Sequence, residues 1–250
     1  MQNLEPQFGR LAVVMPTYNE AETIQSTISE AIEKICNNGK DVVFLVSEDG
    51  SRDGTGQTLL SLAKKMPNLK VSTCPNRKGY PRAARDALLN VDKSADYVLF
   101  MDSDGQYDPA DFRTLWNTMQ SSSLDIVMGQ RTKRVESPLR VFLSTGLRLI
   151  ERTFFRVECH DVTSAFRLMK RETAMSIART VKYSKYNFWL EFTARSYLNG
   201  YKIAEVPVVY RTRHGASRVY KGTKIVSAAF NELFTLVRVW RDFHPRRRSS

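Results

Sequence analysis

Two carboxylates one residue apart, Asp102 and Asp104, follow the apolar run Val98, Leu99, Phe100 and Met101 and precede Gly105, Gln106 and the pair Asp108-Pro109. On a turning strand end, such a pair can face one hard cation, and oxygen ligands suit Mg²⁺ or Mn²⁺ bridging a diphosphate. The motif alone serves equally well as a helix and turn cap. Two further loops add chemistry: Pro16-Thr17-Tyr18-Asn19-Glu20, and Glu48-Asp49-Gly50-Ser51-Arg52-Asp53-Gly54-Thr55. Their carboxylates and amides suit a base edge and ribose hydroxyls, although each run in isolation is ordinary turn chemistry.

These loops need elements to position them. From Leu11 the chain alternates apolar runs (LAVVMP, VVFLVS, LKVST, YVLFMD, DIVMG) with amphipathic stretches at 21–36, 55–65, 81–90 and 109–120. The βαβα order predicts an α/β, Rossmann-like fold: a mostly parallel central sheet flanked by helices. The polar loops follow the first four strands, and ligands of open α/β sheets collect at the carboxyl ends of strands. After Gly129 the alternation stops. A helix is expected at 138–157, a strand-like segment at 161–169, a helix at 187–199, a strand at 201–211 and a long terminal helix at 219–243. The expected organisation is a tail at 1–9, one domain at 10–218, an amphipathic C-terminal helix at 219–243 and a basic tail at 244–250.

The 250 residues, 42% hydrophobic and 26% charged, suffice for one substantial core. No run reaches the ~18 apolar residues of a spanning helix, and the first ten residues lack a signal-peptide layout, so a cytoplasmic, non-spanning protein is expected. Cys36, Cys74 and Cys159 have no CxxC spacing, which points away from a disulfide framework or a zinc site. The net charge of +12 favours polyanionic partners such as nucleotide phosphates or acidic lipid. A nucleic-acid partner is not expected, because the carboxylates cluster in the ligand loops and no zinc-finger or RNA-binding signature occurs.

The ordered set PTYNEAETI, EDGSRDGT, NRKGYPRAARDAL, MDSDGQYDP, DVTSAFR and IAEVPVVYRTRHGASR resembles the dolichol-phosphate mannose synthase branch of family 2 glycosyltransferases. The likeness spans about residues 10 to 218. It implies a GT-A fold, a nucleotide-sugar donor (GDP-mannose in that branch), a divalent cation, inversion at the anomeric carbon and a polyprenyl or dolichyl phosphate acceptor. By the same resemblance, Pro16, Tyr18 and Glu20 match the first nucleotide loop, Asp49 the second and Arg82 the third. Asp102, Asp104 and Gln106 match the metal and diphosphate motif, with Ser103 between the two carboxylates. Arg131, Arg140, Ser144 and Arg213 match positions tied to acceptor phosphate or diphosphate, and Asp104 and Arg131 are the expected catalytic pair. The sequence departs from the pattern at Glu48, where Asp is usual, at Gln130, Ala165 and Arg218, and in the loosely matching NFWLEF. These departures bear on sugar and base preference, with UDP-glucose or UDP-N-acetylglucosamine as the other donors; Glu48 and Arg218 stay among the expected donor-binding residues.

A phosphate monoester is largely dianionic at neutral pH and attacks without a dedicated base, whereas a hydroxyl acceptor needs one. Glu191, on an expected amphipathic helix, is a candidate base, and a solvated or paired role is the commoner fate of such a Glu. Within 138–157, Arg140, Ser144, Arg148, Arg152 and Arg156 recur every four residues and form one stripe on a helix. Val226, Ala229, Phe230, Leu233, Val237 and Trp240 repeat at helical spacing among basic residues. Such a helix suits peripheral contact with an anionic membrane or docking on the domain.

Overall fold

The computed structural model describes residues 9–36, 41–132, 138–212 and 223–244, with backbone only at 138–144 and 223–225. The first half builds as the alternation requires. Strands β1 (Leu11–Thr17), β2 (Val42–Glu48), β3 (Leu69–Thr73) and β4 (Tyr97–Phe100) alternate with helices α1 (Ile24–Cys36), α2 (Thr55–Ala63) and α3 (Tyr80–Leu89). All four strands run parallel, with β1 between β2 and β4. Every residue of β1 is buried, as expected of a strand covered by helices on both faces. Each large apolar side chain there contributes about 1.5–3 kcal/mol of burial free energy.

The second half holds α4 (Phe112–Ser121), β5 (Ile126–Arg131), α5 (Pro138–Phe155), β6 (Arg167–Lys170), α6 (Arg171–Thr180), α7 (Phe188–Leu198), β7 (Ile203–Val208) and α8 (Thr223–Phe243). The sheet order is β3-β2-β1-β4-β6-β5-β7. β6 is antiparallel to both its neighbours, while β5 and β7 pair in parallel. Several expectations change in this half. The segment at 161–169 narrows to a four-residue strand, because 161–166 form a turn and loop. Helix α6 was not expected; it buries Ala174, Met175, Ile177 and Ala178 within an otherwise polar decapeptide, a pattern too short to stand out. Helix α5 ends at Phe155, because Arg156 takes φ 55°, a left-handed helix stop.

Helix α7 is buried from Phe188 through Ser196, so it is an interior helix and not an amphipathic one. Arg167 explains part of this. Its fully buried guanidinium donates to the carbonyls of Ser164 and Val162 and to Thr193 Oγ1, and lies 4.4 Å over the Trp189 ring. Burial lowers its pKa to about 10. Helix α8 packs on α5 and α7 through a face that includes the buried Thr235, Leu236 and Val239. Of the apolar stripe read as suited to membrane contact or to docking, Val226, Phe230 and Val237 face outward, together with Phe234 at 63% exposure. Among the described residues, no helix is long and apolar enough to cross a membrane.

Candidate active site

The tips of β1, β2 and β4 meet because their loops are stitched by side chains. Ser103 Oγ donates to the carbonyl of Pro16 at 3.0 Å and locks the β4 tip to the β1 tip. The backbone N–H groups of Asn19, Glu20 and Ala21 donate to Ser51 Oγ, Thr55 Oγ1 and Asp53 Oδ2. Asn19, at φ 51°, accepts the Arg52 N–H at its Oδ1 in return. Much of the Ser51–Thr55 polarity therefore holds loop to loop. Gly50, at φ +71°, allows the third loop to approach: a Cβ there would lie 2.8 Å from Arg77 N.

Asp49 is buried at the β2 tip, and its two oxygens accept the N–H groups of Lys78 and Gly79 at 2.7 and 2.9 Å. One carboxylate thus sets the start of α3. There Tyr80 donates its hydroxyl to Asp102 Oδ1 at 2.9 Å and accepts from Trp189 Nε1 at 2.9 Å. Burial, followed by the Asp102 charge, raises the Tyr80 phenol well above its ordinary pKa, so it stays a donor. The Arg77 guanidinium lies 4.0 Å over the Tyr18 ring.

The resulting cleft, about 280 Å³, is lined by Pro16, Thr17, Tyr18, Glu20, Asp49, Arg77, Tyr80, Ala83, Asp102, Ser103 and Asp104. The structure therefore brings together Pro16, Tyr18, Glu20, Asp49, Asp102, Ser103 and Asp104. Arg77, Tyr80 and Ala83 also line the cleft without having been among the expected site residues, and Thr17 joins them from the first polar loop. An aromatic beside Gly79, at the first turn of α3, is the only local signal for Tyr80, whose partners lie 22 and 109 positions away.

The other expected residues lie elsewhere. Glu48 is buried, and its Oε1 caps the turn by accepting the Ser51 N–H, so it faces the loop. Gln106 uses its amide on the carbonyl of Arg211 and the Tyr210 hydroxyl, because β7 returns past it; its side chain is not among those lining the cleft. Arg82 lines a neighbouring cavity. Arg131 is held in a bidentate pair by Asp161 at 2.6 Å for both contacts, and also donates to Thr163. Burial opposes its charge, but nearby Tyr107 and Asp161 more than compensate and hold its pKa above the ordinary value. Arg140 and Ser144 lie on α5 with side chains outside the described residues, and Arg213 and Arg218 lie outside them altogether. Arg148, Arg152 and Arg156 are exposed.

Glu191 has no exposure and accepts from the N–H groups of Lys182, Tyr183 and Ser184, from Ser184 Oγ and from Arg195 Nε. Its oxygens are spent on structure, which argues against Glu191 as a general base.

Residues 12–177 match the model of glycosyl transferase family 2. A polyprenol monophosphomannose synthase of Mycolicibacterium smegmatis is 28% identical over 88% of this chain and 84% of its own. A dolichyl-phosphate hexose transferase of Haloferax volcanii is 31% identical over 86% of this chain and 89% of its own. In three dimensions the chain resembles glucosyl-3-phosphoglycerate synthase from Mycobacterium tuberculosis, crystallised with Mn²⁺, UDP-glucose and phosphoglyceric acid. There the TM-score is 0.62, at 18% identity over 92% of this chain and 79% of that one. With a parallel-dominated GT-A sheet, a family model matched over most of its length and relatives that transfer sugars, the chain belongs to glycosyl transferase family 2 and is a glycosyltransferase.

Proposed function

We propose that the chain transfers a hexose, with inversion, from a nucleoside diphosphate to a polyprenyl or dolichyl phosphate, with Mg²⁺ or Mn²⁺ held by Asp102 and Asp104. The observation that carries this reading is the convergence of both carboxylates with Tyr18, Glu20 and Asp49 on one cleft at the carboxyl ends of parallel strands. The donor set fits either ion, being anionic hard oxygen. Among the described residues no third His, Cys, Asp or Glu completes a cluster, so diphosphate oxygens would complete the ligation. When bound, such an ion stabilises the charge of a departing diphosphate.

The protein's own residues prepare that site. Tyr80 orients Asp102, Ser103 fixes the strand tip, and Asp49 sets the third loop. Pro16, Tyr18 and Glu20 form the first wall of the donor site, and Arg82 reaches a donor only through the adjoining cavity. Arg131, whose Nε and Nη2 are paired with Asp161, is the residue proposed to meet an acceptor phosphate. A phosphate acceptor is favoured over a hydroxyl because Glu191 has no capacity to act as base, whereas a phosphate monoester arrives already ionised.

Mannose from GDP-mannose is the first donor to test, followed by UDP-glucose. The outward stripe of α8, with Leu149 and Phe154 of α5 also exposed, supports peripheral contact with an anionic membrane surface on its cytoplasmic face, where the acceptor's tail stays in lipid.

The deciding assay is release of nucleoside diphosphate from donor, Mn²⁺ and polyprenyl phosphate. Asp104→Ala should abolish release. Undiminished turnover in that variant, or equal turnover without the lipid phosphate, would defeat the proposal.

A further inference from the structure

A larger cavity, about 630 Å³, adjoins the cleft and lies between the start of α3, segment 181–186 and Arg238 of α8. The two spaces share Arg77 and Tyr80 in their linings, so they lie side by side. Its lining carries many cationic side chains and no Asp or Glu. Lys78 and Lys182 are neutralised from outside it, by Asp86 and Asp242. Among the described residues, Arg82, Arg85, Lys185 and Arg238 have no carboxylate partner. Arg85 also has its Nε buried without a hydrogen-bond acceptor, a costly arrangement for a guanidinium.

The walls are built and not incidental. Glu191 pins segment 182–184 through three backbone N–H groups, at 3.1, 2.8 and 2.7 Å. Asp242 of α8 accepts from both Tyr183 and Arg195, fixing the helix that carries Arg238 to that segment and to α7. Like charges gathered in a partly enclosed space repel one another and focus a positive potential. A bound oxyanion relieves both the repulsion and the unmet Arg85 donor, and guanidinium forks suit phosphate and carboxylate geometry.

We propose that this cavity binds an oxyanionic group, phosphate or carboxylate, carried by a substrate that extends past the diphosphate. The inference rests on the donor reading above, because the shared Tyr80 wall is what makes its occupant contiguous with a nucleotide. Two sources offer this chemistry: the acceptor's phosphate, or an acidic substituent on the transferred sugar.

The test uses the full chain and two double variants, Arg85→Gln with Arg238→Gln, and Arg85→Lys with Arg238→Lys. Binding of nucleoside diphosphate with Mn²⁺ is measured first by calorimetry. Failure of the wild type to bind it would sink the donor reading, whatever the cavity does. With that binding retained, affinity is measured for a short-chain polyprenyl phosphate, and for a nucleotide hexuronic acid beside its neutral hexose counterpart. The Gln pair should weaken one of the two anionic probes about tenfold or more, and the Lys pair should restore most of the loss. Loss confined to the polyprenyl phosphate assigns the acceptor, and loss confined to the hexuronate assigns the sugar. Unchanged affinity for both overturns the proposal. Arg238→Gln alone, at an exposed position on α8, carries the same comparison if the Arg85 variants do not fold.

Discussion

Tyr80→Phe separates the two roles assigned to this side chain. The hydroxyl donates to a carboxylate, Asp102, and accepts from the indole of Trp189, whose residue is 1% exposed. Deleting it removes a hydrogen bond to a charged group, about 1.5–3 kcal/mol, and orphans a buried N–H, about 1–3 kcal/mol. Allowing for overlap between these losses, the folded state should lose about 2–4 kcal/mol. For a chain of this size that lowers the melting temperature by roughly 5–15 °C. The same change removes one hydrogen-bond donor from Asp102, a carboxylate proposed to hold the divalent ion. Loss of a partner that orients such a ligand typically weakens metal affinity about 10–100-fold. Thermal unfolding reads the first effect, and the Mn²⁺ concentration needed for half-maximal nucleoside diphosphate binding reads the second. A melting temperature equal to wild type would refute the pair of hydrogen bonds assigned to this hydroxyl. A lowered melting temperature with unchanged Mn²⁺ dependence would leave Tyr80 a packing residue and refute its link to the site.

Glu151→Gln should flatten a pH dependence of stability. Burial, followed by repulsion from Glu232, pushes the Glu151 carboxyl up to about 8, so the folded chain keeps a proton that the unfolded chain loses near 4.3. Stability from this group is therefore full below the unfolded value and is lost as pH rises through the folded one. Denaturant unfolding at pH 5 and pH 8 should show wild type losing about 3 kcal/mol more than the variant, and parallel losses would contradict the assignment. Gly50→Ala forces a Cβ to 2.8 Å from Arg77 N at a positive φ. It should cost more than about 1 kcal/mol of stability and weaken nucleotide binding by displacing the third loop. Phe230→Ser with Phe234→Ser removes two exposed aromatics from α8. Sedimentation with anionic phospholipid vesicles should show at least about tenfold weaker binding with catalysis of a soluble acceptor analogue intact, and equal sedimentation would argue against that surface.

The sequence by itself determined the alternating strands and helices, the parallel β1–β4 half and the placement of polar loops at strand ends. Those signals are local, written in the period of apolar residues and the turn chemistry that interrupts it. What tertiary structure decided was which of several chemically identical groups face the cleft. Asp102 and Asp104 line it, while Glu48 caps a turn, Asp53 ties two loops together and Glu191 holds a segment under α8. The amide of Gln106 and the guanidinium of Arg131 were likewise claimed by residues far along the chain. Tyr80 gained its importance only when folding brought Trp189 and Asp102 to opposite sides of one hydroxyl. Helix α8 shows the same division, since its periodicity announced an apolar face but packing on α5 and α7 turned a different face inward. A carboxylate's partner is chosen by whichever donors the fold leaves within hydrogen-bond reach, and that proximity is not encoded in any short stretch of residues.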